Sequence, residues 1–213
     1  MVGAASRNVF VGISLQNKSL DSDRVSQFLM TARRSFQARR LLFLIADEID
    51  LYNRRVFDGD NETLLRRKVE QRANAIRAEI AETIYASDLQ DIIVGFCTWE
   101  DVLTPAITRL MIEVNELFLS SQTFRKDILY IASGYAERRA RRLSKAELSY
   151  LCQYVLSEIP VIMRGVDVDN EKYRSMIYPA PKRFALDDIV GRLVSGEYGP
   201  VKTSGSMIQI VKI

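Results

Sequence analysis

Apolar residues along the chain fall into two alternating patterns. Short runs dense in Val, Ile, Leu and Phe occur at 9–13, 41–46, 92–96, 176–178 and 207–211. The first three are nearly unbroken by polar residues, as strands buried on both faces of a parallel sheet read. Between most of these runs lie longer stretches with helical periodicity, at 22–39, 61–86, 100–119, 123–142 and 144–156, several with Asp or Ser near the start as a cap. In the second of them, 100° per residue puts Leu65, Val69, Ala73, Ile76 and Ile80 on one stripe and spreads the charges over the rest. This alternation predicts an α/β fold, a parallel sheet with helices covering both faces. No Pro/Gly/Ser-rich linker, repeat or low-complexity tract divides the chain, so a single domain over 1–213 is expected. Pro160, Pro179, Pro181 and Pro200 make the last third the loop-rich part.

Composition narrows the chemistry. At 213 residues and 47% apolar, the chain can bury a core without disulfides or metals. Its longest apolar run, residues 41–46, is far short of a membrane span. The N-terminal MVGAASRNVFVGIS lacks the pattern of a secretory signal, so a cytoplasmic, monomeric protein is expected. There are no histidines, which excludes a Ser-His-Asp triad, a Cys-His pair and any His-containing metal site. Cys97 and Cys152 sit inside apolar segments without paired spacing and read as buried thiols. Neither a GxGxxG fingerprint nor a GxxxxGK[ST] phosphate loop is present, so no cofactor and no metal are expected.

The net charge is only +3, but the positive charge is clustered. Arg33, Arg34, Arg39 and Arg40 form one group, Arg66, Arg67, Lys68, Arg72 and Arg77 a second, and Arg138, Arg139, Arg141, Arg142 and Lys145 a third. Such patches suit a polyanion. They are equally the solvated faces of long helices, because Glu70, Glu79, Glu82 and Glu137 are interspersed and can pair with them.

Ser14 closes the first strand in NVFVGISLQN. Its hydroxyl should emerge at the carboxyl end of a parallel strand, where α/β sheets place ligands, and Gly12 keeps the approach to it clear. A hydrolase elbow would read GxSxG, but Gln16 occupies the second glycine position. Alone, the segment is also consistent with a serine that merely ends a strand. Later in the chain come Tyr154-Val155-Leu156-Ser157-Glu158-Ile159-Pro160 and then Tyr178-Pro179. An aliphatic strand ending in Gly-aliphatic-Ser at 11–14, followed by Tyr-aliphatic-x-x-Glu-x-Pro at 154–160, resembles the cyclodipeptide synthases. Asn17 three residues after the serine, a basic helix after the second strand and the late Tyr178 also fit. Asn8 stands where the family's first motif usually opens with histidine, Phe10 replaces an aliphatic residue, and Asn17 is combined with Pro179.

The resemblance implies a Rossmann-like α/β fold akin to the catalytic domain of class I aminoacyl-tRNA synthetases. It also implies an aminoacyltransferase that consumes aminoacyl-tRNAs without ATP. Ser14 would carry the first aminoacyl group, a second aminoacyl-tRNA would give a dipeptidyl enzyme, and cyclisation would release a diketopiperazine. Tyr154 and Glu158, four apart and on one face of a helix, would grip the substrate's α-ammonium. The alternative is that Glu158 pairs locally while Tyr154 packs in the core. Tyr178 would bond near Ser14 and relay a proton, and Asn17 and Pro179 would line the substrate site beside Gly12. Phe43, by alignment with the family, would limit the first amino-acid pocket, the alternative being ordinary sheet core. Arg66, Arg67, Lys68, Arg72, Arg138 and Arg139 would contact tRNA phosphates.

Overall fold

Side-chain alternation along the first strand, β1 (Asn8–Ser14), sets the layering of the molecule. Val9, Val11 and Ile13 enter one apolar layer and Phe10 the other, as the period of two in a strand requires. The computed structural model describes residues 7–16, 20–59, 61–87, 91–178, 185–201 and 208–213, so Asn17 and Pro179 fall outside the described residues. The remaining strands are β2 (Arg40–Ala46), β3 (Ile93–Cys97), β4 (Val166–Val168), β5 (Glu171–Tyr173), β6 (Ser175–Tyr178) and β7 (Gln209–Lys212). The helices are α1 (Ser22–Phe36), α2 (Asp47–Asp58), α3 (Glu62–Tyr85), α4 (Pro105–Ser120), α5 (Gln122–Arg138), α6 (Lys145–Arg164) and α7 (Ala185–Val194).

Five strands form one parallel sheet in the order β3-β2-β1-β6-β7. Sequence order reverses at β1, which has β2 on one side and β6 on the other, so the carboxyl end of β1 lies at the topological switch point of the sheet. β4 and β5 form a small separate hairpin turned by Asp169 and Asn170, both at positive φ. One sheet face packs against the buried stripes of α1 and α3, including the predicted Leu65, Val69, Ala73, Ile76 and Ile80. The other supports the larger layer from α2, α4, α5, α6 and α7.

The predicted architecture stands, with local corrections. The helix expected over 100–119 divides into a 3-10 turn at Glu100–Val102 and α4, whose first residue, Pro105, follows the N-cap Thr104. The helix expected to stop at 156 continues to Arg164 through Pro160, because a proline forfeits one backbone bond and this helix is buried over most of its last three turns. It begins with a capping box, Ser144 and Glu147 bonding reciprocally. α2, α7 and the β4–β5 hairpin were not expected.

Candidate active site

The carboxyl ends of β1, β2 and β6 and the middle of α6 enclose a cavity of about 430 Å³. Ser14 enters it from β1, Leu44 and Ala46 from β2, Met176 and Tyr178 from β6, and Tyr154, Glu158, Val161 and Ile162 from α6. Trp99, Tyr135 and Arg138 complete the rim. Gly12 belongs to the same wall, and a Cβ built there would lie 3.0 Å from Cε of Met176. The glycine therefore leaves space beside Ser14 that a side chain would fill.

Polar contacts run from the serine inward. The Gln16 backbone N–H donates to Ser14 Oγ at 3.3 Å. Tyr154 interacts with both Ser14 and Glu158. An ionised carboxylate only accepts, whereas a phenol can donate on one side and accept on the other, so Tyr154 suits a place between the serine hydroxyl and the carboxyl. Ser14, Tyr154 and Glu158 thus form one polar series on the cavity wall. Tyr154 stacks on Tyr135 with ring centroids 6.4 Å apart, which fixes its hydroxyl in place.

Burial dominates the electrostatics. What surface Tyr154 and Glu158 retain faces the cavity rather than open solvent. Desolvation pushes Glu158 up to about 7, opposed by its interaction with Tyr154. Burial also holds the Tyr154 and Tyr178 hydroxyls well above the usual tyrosine range, and the charge on Glu158 adds to this. Both phenols therefore remain protonated donors at neutral pH. Among the described residues no cation pairs with Glu158, so the site presents a desolvated carboxyl whose ionised form suits a ligand ammonium.

The predicted residues divide accordingly. Ser14, Gly12, Tyr154, Glu158, Tyr178 and Arg138 come together at the cavity. Phe43 does not: it is fully buried on the opposite sheet face, 6.3 Å from the Phe28 ring and 5.8 Å from that of Phe96. The expected register was off by one, and Leu44 and Ala46 are the strand residues that reach the cavity. Arg138 lies over the Tyr135 ring, while Arg139 lies 4.8 Å over Phe57 and donates to Gln16. On α3, Arg66 is already engaged by Glu48 at 2.8 Å and Glu62 at 3.0 Å, whereas Arg67 and Lys68 are exposed and Arg72 is half-buried. Cys97 and Cys152 are buried free thiols, as expected, with desolvation pushing both up to about 12. Among the described residues no cluster of potential metal ligands occurs, and no helix is long and apolar enough to cross a membrane. Sequence reasoning missed Trp99, Tyr135, Met176 and the α6 residues beyond Pro160; only Tyr135, an aromatic one turn before paired arginines, left a signal.

The fold recurs in solved structures. A cyclodipeptide synthase from Fluoribacter dumoffii superposes with a TM-score of 0.75 at 13% identity, covering 97% of this chain and 88% of that one. AlbC, a cyclodipeptide synthase from Streptomyces noursei, gives 0.66 at 14%, covering 98% and 95%. A tyrosyl-tRNA synthetase from Pyrococcus horikoshii gives 0.57 at 11%, covering 98% of this chain and 51% of that one. No curated protein sequence matches the chain significantly. The cyclodipeptide synthase family model matches residues 2–194, and that span holds both sequence motifs and every strand and helix that walls the cavity. The chain belongs to the cyclodipeptide synthase family.

Proposed function

We propose that this protein joins two aminoacyl groups from aminoacyl-tRNAs into a cyclic dipeptide, through esters carried on Ser14 and without ATP. The observation that carries the reading is the polar series Ser14, Tyr154, Glu158 lining one cavity, with a carboxyl at its end that pairs with no cation among the described residues. An aminoacyl ester is already activated, so the serine needs positioning and a path for its proton. Oγ of Ser14 attacks the ester carbonyl, the Oγ–C bond forms, the bond to the tRNA 3′ oxygen breaks, and the proton ends on that leaving oxygen.

Glu158 holds the first substrate's α-ammonium and, with its pKa near 7, can take a proton from it, freeing the amine. That amine attacks the ester of the second aminoacyl-tRNA, an N–C bond replaces the second C–O bond, and a dipeptide is left esterified to Ser14. Its terminal amine then attacks the seryl ester, which closes the ring and returns the proton to Oγ. Tyr154 and Tyr178 act as neutral donors throughout. The apolar lining from Leu44, Ala46, Val161, Ile162 and Met176 supports an apolar first amino acid. Arg138, which lines the cavity, supports a contact with the phosphates of the acceptor end.

The test is incubation with a mixed pool of charged tRNAs in ATP-free buffer and identification of products by mass. Cyclic dipeptides support the reading. Free amino acids or an acylated acceptor would assign the chain to acyl transfer elsewhere, and no turnover with intact tRNA binding would make it an RNA-binding domain.

A further inference from the structure

The turn that follows Ser14 is tied to a buried charge. The Gln16 side-chain amide donates to both oxygens of Asp50, at 2.9 and 3.1 Å, and its carbonyl accepts from Arg139 at 2.6 Å. Asp50, on α2, is 1% exposed and is also held by Arg54 at 2.7 Å. Gln16 lines the cavity beside Ser14 and bonds to its hydroxyl through the backbone N–H. One side chain therefore links the loop carrying the nucleophile to α2 and to the end of α5.

Only a neutral amide can make this bridge. Asp50 demands a donor and Arg139 demands an acceptor, and glutamine offers one of each at the end of a side chain of the right reach. Glutamate would face Asp50 with a second anion, and alanine would leave a buried carboxylate with an unmet lone pair. From this we infer that Gln16 is a positioning residue for the acyl-transfer step: anchored on Asp50, it fixes the turn that aims Ser14 Oγ at the substrate ester. The inference rests on Ser14 being the nucleophile.

The experiment measures the single-turnover rate of Ser14 acylation at saturating charged tRNA, alongside tRNA affinity and melting temperature. Gln16→Glu should slow acylation about 10- to 100-fold, the usual effect of an ångström-scale displacement of a reacting group, with affinity changed less than about threefold. Adding Asp50→Asn restores a donor opposite the new carboxylate at unchanged total charge, and Gln16→Glu/Asp50→Asn should recover most of the rate. Wild-type acylation by Gln16→Glu, or no recovery in the double variant, would overturn the inference. A wild-type enzyme that forms no ester would instead contradict the role of Ser14. In that event the alkylation rate of the Ser14→Cys thiol by iodoacetamide, with Cys97 and Cys152 buried, reads the turn directly. It should change with Gln16→Glu and return with Asp50→Asn, and an unchanged rate would overturn the positioning role.

Discussion

Tyr154 stands beside Glu158, four residues further along α6, and its interaction with the carboxyl favours the ionised form, while among the described residues no cation completes the pair. A desolvated anion with one neutral donor is an expensive arrangement for a helix that packs into the core. It becomes useful when a ligand supplies the positive charge.

The cost predicts a measurable stability effect. Burial raises Glu158 from its ordinary 4.5 to about 7, so the native state holds this proton more tightly than the unfolded chain does. Stability then falls as pH rises from about 4.5 to about 7, and the whole loss is present above that range. Glu158→Gln should melt higher than wild type at about pH 8, by about 1–3 kcal/mol, and equal it at about pH 4. A variant less stable at both values would make Glu158 a structural residue.

Activity should follow the same group with the opposite sign. Holding an ammonium requires the ionised carboxylate, so the KM for aminoacyl-tRNA should rise as pH falls through about 7. Glu158→Gln should lose roughly 10- to 150-fold in rate, the worth of a charge-assisted bond, and lose this acid limb as well. A Gln variant retaining the wild-type pH profile would remove Glu158 from substrate binding.

How far the site was legible depends on which face a residue occupies. The places of Ser14, Tyr154 and Glu158 were readable because strand ends and i,i+4 spacing translate into position, while their candidate roles came only from the resemblance of the two motifs to the family. The place of Phe43 was not readable. The run RLLFLIA is apolar at six consecutive positions, so it announces a buried strand but carries no alternation to say which residues face the cavity. α2 was hidden for a different reason: Asp50 and Asn53 are buried polar residues, so the stripe that marks an amphipathic helix is interrupted where the helix meets the core. The extension of α6 past Pro160 likewise depends on packing partners that local sequence does not reveal.

The register correction makes its own prediction. Phe43→Ala should cost about 3–5 kcal/mol, as for a buried ring, and leave the products unchanged. Leu44→Phe, on the cavity side, should shift products toward smaller first residues, at about 1–3 kcal/mol for enlarging a buried side chain. The product spectrum of the two variants decides the assignment, and a shift caused by Phe43→Ala alone would reverse it.

Gly12 and Met176 should be coupled. Gly12→Ala places a methyl 3.0 Å from Cε of Met176, inside the cavity wall, and should lower turnover about tenfold or more. Met176→Ala removes the opposing atoms, so the double variant should regain part of the lost rate. Additive losses, measured as kcat/KM in a double-mutant cycle, would show that the two do not share the space.

On α3 the arginines should not be equivalent. Arg67 and Lys68 are exposed, while Arg66 is engaged by Glu48 and Glu62. In a salt series of tRNA binding, Arg67→Ala and Lys68→Ala should each flatten the slope by about one unit, and Arg66→Ala by less. Identical slopes for all variants would remove this helix from the tRNA contact and leave Arg138 as the first candidate.

The most direct test is the mass of the protein after acid quenching with a single species of charged tRNA in ATP-free buffer. The account predicts an adduct of one aminoacyl residue on the peptide containing Ser14, formed before any cyclic product and absent from Ser14→Ala, which should also make no cyclic dipeptide. Cyclic dipeptide formation by Ser14→Ala at the wild-type rate would contradict it.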